Sequence, residues 1–151
     1  MTFKVFTDGG SRGNPGPSAC AYVVYSDSGN MQEMCGKPAL PIAKRGRYLG
    51  TMTNNEAEYH GVIEALCHPD VTSGSRINFF SDSQLMVNQL NGLWKVKEPR
   101  LRELITQIRE LARGRELTFT YVPREQNKVA DALVNETLDK HSGLRPEGRV
   151  E

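Results

Sequence analysis

The chain mixes short apolar runs, bounded by turn residues, with longer stretches in which apolar residues recur every three to four positions. The runs predict strands. Thr2–Thr7 combines β-branched and aromatic residues, Ala19–Tyr25 is continuously apolar, and Arg76–Ser81 and Glu116–Val122 are short and β-rich. Asp27-Ser28-Gly29-Asn30 is turn chemistry and predicts a hairpin into a strand at Met31–Cys35. Asp8–Pro17 is dense in Gly, Pro and Asn and predicts a loop, while Lys37–Gly50 carries two prolines and is assigned to no element. The helical stretches are equally distinct. Asn54 and Asn55 can cap a helix in which Ala57, Gly61 and Ala65 recur every four residues beside Val62 and Leu66, a face made for close packing. Ser83–Leu90 predicts a short helix. Pro99 opens another, with Leu101, Leu104, Ile105, Ile108, Leu111 and Ala112 as its stripe. Asn127–Leu138 predicts a last helix with Val129, Ala132, Leu133 and Thr137 inward. The order is three strands, helix, strand, two helices, strand, helix, an α/β arrangement.

Composition narrows the class. A chain of 151 residues, 38% hydrophobic and 25% charged, suits one domain that needs no metal or disulfide staple for its core. Nineteen basic and eighteen acidic residues give a net charge of +1, which excludes a histone-like or polybasic binder. No apolar run reaches the length of a membrane span, and the first residues lack the apolar core of a signal peptide. Cys20, Cys35 and Cys67 are odd in number and form no CxxC pair, so the expectation is free thiols in a reducing cytoplasm.

Candidate chemistry lies at the strand ends. Asp8 follows the first strand and Asp82 follows the fourth. In sheets with parallel strands, ligands sit at the carboxyl ends. If those strands are neighbours and parallel, the two carboxylates converge, which is costly unless a cation joins them. Oxygen-only donors select a hard ion such as Mg²⁺ or Mn²⁺. Glu58, on the small-residue helix, and Asp131, early in the last helix, can each add an oxygen. Taken singly, each acid has an ordinary structural role as a turn residue, a cap or a first-turn charge.

Four strings decide between these readings. TDGGSRGNPGPSA at Thr7–Ala19, TNNEAEY at Thr53–Tyr59, SDSQL at Ser81–Leu85 and NKVADAL at Asn127–Leu133 resemble, in order and spacing, type 1 ribonuclease H, from about Phe3 to Asp139. The resemblance implies an RNase H-like α/β fold: a five-stranded mixed sheet, three strands antiparallel and two parallel, flanked by about four helices. It implies hydrolysis of the RNA strand of RNA–DNA hybrids, leaving 5′-phosphate and 3′-hydroxyl ends. It maps the family's metal-binding acids onto Asp8, Glu58, Asp82 and Asp131, holding two Mg²⁺ ions roughly 4 Å apart, one activating water and one stabilising the leaving oxygen, with Mn²⁺ able to substitute. The Asn-Asn-x-x-Glu pattern selects Glu58 and leaves Glu56 as a surface acid.

The resemblance also assigns the substrate side. Asn14, Asn54, Asn55 and Gln84 face the minor groove, where amides offer both donors and an acceptor to 2′-hydroxyls and base edges. Thr53 resembles the residue that holds a DNA-strand phosphate. Trp94, Lys95 and Lys97 form a WKVK-like string expected to line a DNA-strand groove, against the plainer reading of Trp94 as core. Two departures stand out. The chain runs from Trp94 through Glu98-Pro99-Arg100 straight into a helix, so the basic protrusion of well-studied members is missing. The stretch between Val122 and Asn127 lacks the family's histidine, and none of His60, His68 and His141 falls there; Arg124 is the candidate replacement. The Gly10–Gly16 stretch is not a P-loop, because no Lys-Ser/Thr follows it.

The resulting expectation is a catalytic domain over residues 1–140 and a polar tail over 141–151, acting as a free-standing monomer. The alternatives are a non-catalytic hybrid-binding module and another RNase H-like nuclease or recombinase core. Charge distribution refines the near-neutral total. Lys37–Gly50 holds four basic residues and no acid, and Leu93–Arg115 holds seven basic and three acidic ones. Asn54–Leu85 holds five acids and Arg76 alone. An acidic segment is set against basic segments suited to a polyanion.

Overall fold

The computed structural model describes residues 2–26, 40–68, 71 and 76–142. Strands β1 (Thr2–Ser11), β2 (Gly16–Ser26) and β3 (Ala43–Met52) form an antiparallel meander. Strands β4 (Arg76–Ser81) and β5 (Glu116–Tyr121) continue the sheet parallel to β1. The order is β3-β2-β1-β4-β5, the predicted mixed sheet. Helices α1 (Asn54–Leu66), α2 (Gln84–Leu90), α3 (Pro99–Leu111) and α4 (Lys128–His141) complete it. No described helix is long and apolar enough to cross a membrane.

Two cores hold the layers together. Val5, Tyr22, Val24, Ile77 and Phe79 pack against Val62, Leu66 and the α3 stripe Leu101, Leu104, Ile105 and Ile108. On the opposite face, Ala19, Ala21 and Val23 pack against Ala130, Val134 and Leu138 of α4. Continuous burial on both faces explains why β2 reads as an unbroken apolar run rather than an alternation.

The structure corrects several expectations. The third strand of the sheet is Ala43–Met52, in the stretch assigned to no element, whereas the turn at residues 27–30 and the strand expected at 31–35 lie outside the described residues. β3 is an edge strand whose Lys44, Arg45 and Arg47 point into solvent, so it carries no alternating apolar signal. The glycine-rich loop is shorter than expected. Gly9 and Gly10 pair with Cys20 and Ala19, so β1 runs on to Ser11 and Asp8 lies within it. The inward face of α4 is Ala130, Val134 and Leu138; Val129 and Ala132 are exposed, and Leu133 and Thr137 are partly buried. Gly46 permits this seating, since a Cβ there would lie 2.2 Å from Thr137 Oγ1. His141, assigned to the tail, ends α4 and stacks on Tyr48 with ring centroids 4.2 Å apart. The remaining tail, residues 143–151, lies outside the described residues.

Candidate active site

The site begins with the register of the two central parallel strands. Thr7 pairs with Ser81, so Asp8 and Asp82, the next residues, emerge side by side. Glu58 joins them because α1 crosses β1 at backbone contact. A Cβ on Gly9 would lie 2.3 Å from Ala57 C and 2.4 Å from Glu58 N, and one on Gly61 would lie 3.1 Å from Asp8 O. Only glycine permits that crossing. Ligand-capable oxygens of Asp8, Glu58 and Asp82 all lie within 4.8 Å of one another. Asp131, one turn into α4, falls outside that group but lines the same cleft and adds its charge to Asp8 and Asp82.

The cleft encloses about 330 Å³ and is lined by Asp8–Arg12, Asn54, Asn55, Glu58, Asp82, Arg124, Asp131, Val134, Asn135 and Leu138. Its electrostatics are those of crowded, dehydrated negative charge. Burial, and then Asp82, Asp131 and Glu58, push the Asp8 carboxyl up to about 8 against a hydrogen bond from the Gly9 backbone. Burial pushes Glu58 up to about 7; Asp82 adds to the rise, while Ser83 and Arg124 oppose it. Burial also raises Asp82, with Arg124 and a hydrogen bond from Asn127 opposing and Asp131 adding. Arg124, in a 3₁₀ turn over Arg124–Gln126, places Nε 3.9 Å from Asp82 Oδ2 and is otherwise exposed. One peripheral cation does not neutralise four acids. An oxygen-only donor set with unspent negative charge fits a hard divalent cation.

The neighbouring residues divide by role. Thr53, rather than Asn54 or Asn55, caps α1: its backbone is extended and its hydroxyl accepts from Glu56 N at 3.2 Å. Glu56 Oε1 accepts in return from Thr53 N at 3.0 Å, and Oε2 meets Arg100 Nη1 at 3.4 Å. It is therefore 9% exposed, a correction to its expected place as a surface acid. Likewise Ser83, not Asp82, caps α2, its hydroxyl accepting from Met86 N, so the Asp82 carboxylate is not consumed by a cap. Asn14 Oδ1 accepts from Asn54 N at 3.0 Å, and Asn54 Oδ1 accepts from Ser11 N at 2.7 Å. Each amide oxygen thus accepts one hydrogen bond that ties the Ser11–Asn14 loop to the start of α1.

Asn55 lines the cleft, and Gln84 opens α2 with an exposed side chain. Trp94, Lys95 and Lys97 lie on the connection between α2 and α3, apart from the residues lining the cleft, and all are exposed. Trp94 is 49% exposed and does not belong to the core. Two residues that the sequence did not single out also build the site. Arg12 lines the cleft and ties the loop to α4 through Asp139 Oδ1 at 2.7 Å. Asn127 lies buried behind the acids and bonds Thr7 O. Nothing in the sequence distinguishes this arginine from a solvated loop residue. Asn127 opened a recognised string and the last predicted helix but was given no role of its own.

A mixed sheet in this order, with carboxylates gathered where the pairing of its central parallel strands ends, defines an RNase H-like protein. A reverse transcriptase-like family model matches residues 6–137. A ribonuclease HI of Halobacterium salinarum is 40% identical over 135 residues, which cover 89% of this chain and 63% of that protein. The crystal structure of RNase H1 from the same archaeon aligns with a TM-score of 0.82 at 38% identity, covering 93% of this chain and 99% of that one. LC11-RNase H1, solved in complex with an RNA/DNA hybrid, aligns with a TM-score of 0.79 at 36% identity, over 93% of this chain and 99% of that one. A bifunctional protein of Mycobacterium tuberculosis is 36% identical over 140 residues, which cover 92% of this chain and 36% of that protein. The chain therefore spans less than two thirds of the length of these curated relatives. It belongs to the type 1 ribonuclease H family.

Proposed function

We propose that this chain is an endoribonuclease that hydrolyses the RNA strand of RNA–DNA hybrids in a divalent-metal-dependent reaction. The observation that carries the reading is the cluster of Asp8, Glu58 and Asp82 oxygens within 4.8 Å, built where the parallel pairing of β1 with β4 ends. Asp8, Glu58 and Asp82, with Asp131 from the facing helix, would hold Mg²⁺, for which Mn²⁺ can substitute. Bound there, the metal supplies an activated water and charge stabilisation at the scissile phosphate. The residues themselves do the rest. Asn14 and Asn54 offer Nδ2 donors toward minor-groove acceptors, which every base pair presents, so binding is independent of sequence. Asn55 and Gln84 extend that contact, and Thr53 holds a DNA-strand phosphate at the start of α1, where backbone N–H groups favour an anion. Exposed Trp94, Lys95 and Lys97 receive the DNA strand beyond it. Arg124 balances charge beside Asp82 in the loop that lacks a histidine.

Every proposed group comes from one chain, which supports action as a monomer. The proposed compartment is the cytoplasm, where the thiols of buried Cys20 and exposed Cys67 stay reduced. The test is cleavage of end-labelled RNA–DNA, RNA–RNA and DNA–DNA duplexes with Mg²⁺ or Mn²⁺. Cleavage of the RNA strand in the hybrid is expected. An uncut hybrid in both metals overturns the reading.

A further inference from the structure

Asn127 is 1% exposed, yet at the N-cap position of α4 its side chain makes no cap hydrogen bond. Its amide is turned to other work. Nδ2 donates to Thr7 O at 2.9 Å, across 120 residues of sequence, and the amide lies close enough to Asp82 to favour its ionised carboxylate. The backbone of the same residue continues the pattern. Its N–H donates to Arg124 O at 2.9 Å, and its carbonyl accepts from Asp131 N at 3.1 Å. One buried residue therefore ties together the segment of β1 that carries Asp8, the helix turn that carries Asp131 and the loop that carries Arg124. The arrangement has a cost, because Asn127 Oδ1 is buried without a hydrogen-bond partner. A residue kept only for packing would avoid an orphaned amide oxygen.

We propose that Asn127 is a positioning residue, whose amide ties the Thr7–Asp8 segment of β1 to the start of α4 and so sets the acids in the relative placement that a divalent cation requires. The claim rests on the metal-dependent reading above and adds a residue to it. Groups that orient metal ligands from behind typically alter metal affinity or activity by about 10–100-fold when removed. Removing this one acts on the acids, not on the surface that meets the hybrid.

The test uses the full chain and Mn²⁺ alone, titrated by calorimetry and by the electron spin resonance of the free ion, followed by kcat and KM on a hybrid. Asn127→Ala removes the amide that bonds Thr7 O. Asn127→Ser keeps a hydroxyl able to cap α4 but supplies one shorter donor, and it serves if the alanine variant fails to fold. Ile108→Val, in the opposite core, is the control for lost stability alone. The expected result is Mn²⁺ affinity weakened about tenfold or more in the Asn127 variants, with kcat lowered and KM within about twofold of the starting protein. Ile108→Val should melt earlier with unchanged Mn²⁺ affinity. Folded Asn127 variants that bind Mn²⁺ as tightly as the unaltered protein would overturn the proposal. An unaltered protein that binds Mn²⁺ but cuts no hybrid would instead sink the functional reading, while the metal affinities still decide the role of Asn127.

Discussion

Glu56 and Glu58 sit two residues apart in the first turns of α1, and the fold treats them in opposite ways. On the side toward α3, burial alone would raise Glu56, but the hydrogen bonds of Thr53 and the Arg100 guanidinium outweigh it and hold the carboxyl below its ordinary value. On the side toward the sheet, burial and Asp82 push Glu58 up to about 7. The first acid completes a capping box and stabilises the helix. The second is packed against carboxylates of the same sign, which destabilises the metal-free fold. A buried acid whose charge is satisfied is structural. A partly buried acid placed beside others of its own sign marks a candidate metal site.

The sharpest way to break this comparison is to neutralise an acid of the inner set. Asp82→Asn should lower Mg²⁺-dependent hybrid cleavage by about a thousandfold or more, because it removes an oxygen donor from the shared centre. Its circular dichroism should match that of the unaltered chain. Near-normal cleavage by this variant would contradict the site assignment. The second largest effect concerns the approach of α1. Gly9→Ala should destabilise the protein by about 1–3 kcal/mol, because its methyl group would meet the helix backbone. Denaturant unfolding measures it, and an unchanged midpoint would refute the close crossing.

Stability against pH sharpens the same contrast. The folded protein holds the Asp8 proton up to about 8, above the ordinary carboxyl value of 3.8, and the Glu58 proton up to about 7, above 4.5. Folded chains therefore bind more protons than unfolded ones between pH 4 and 8, and metal-free stability should fall across that window. Mg²⁺ needs the ionised acids, so it should raise the melting temperature more at pH 8 than at pH 5. Asp8→Asn should stabilise the metal-free protein at pH 8 by about 1–2 kcal/mol while abolishing cleavage. A melting temperature that rises from pH 5 to pH 8 without metal would contradict this. The smallest effect belongs to the substrate side. Asn54→Asp keeps the acceptor that bonds Ser11 N and loses the donors, so KM for a hybrid should rise about tenfold with kcat little changed.

Four of the five strands and all four of these helices were legible in the sequence, because burial on one or both faces writes itself into apolar periodicity. Residues that pack in the interior, such as Val5, Val62 and Ile108, fall where that periodicity puts them. β3 was not legible, because an edge strand carrying Lys44, Arg45 and Arg47 outward has no apolar period to read. The convergence of Asp8 with Asp82 could be argued from strand ends alone, since a parallel register fixes it. The contact of Glu58 with that pair rests on Gly9, whose role as a crossing point depends on a helix more than 40 residues away. Glu56 and Asn127 escaped for a related reason. Their partners, Arg100 and Thr7, lie 44 and 120 residues distant, and no local pattern encodes such pairs.

The most direct test compares the two glutamates in a single assay: Glu58→Gln and Glu56→Gln on an end-labelled RNA–DNA hybrid with Mg²⁺. Each change is isosteric and removes one charge. Glu58→Gln should lose cleavage by about a hundredfold or more, while Glu56→Gln should cleave at close to the unaltered rate and melt at a lower temperature. Full cleavage by Glu58→Gln, or its loss in a well-folded Glu56→Gln, would contradict the account.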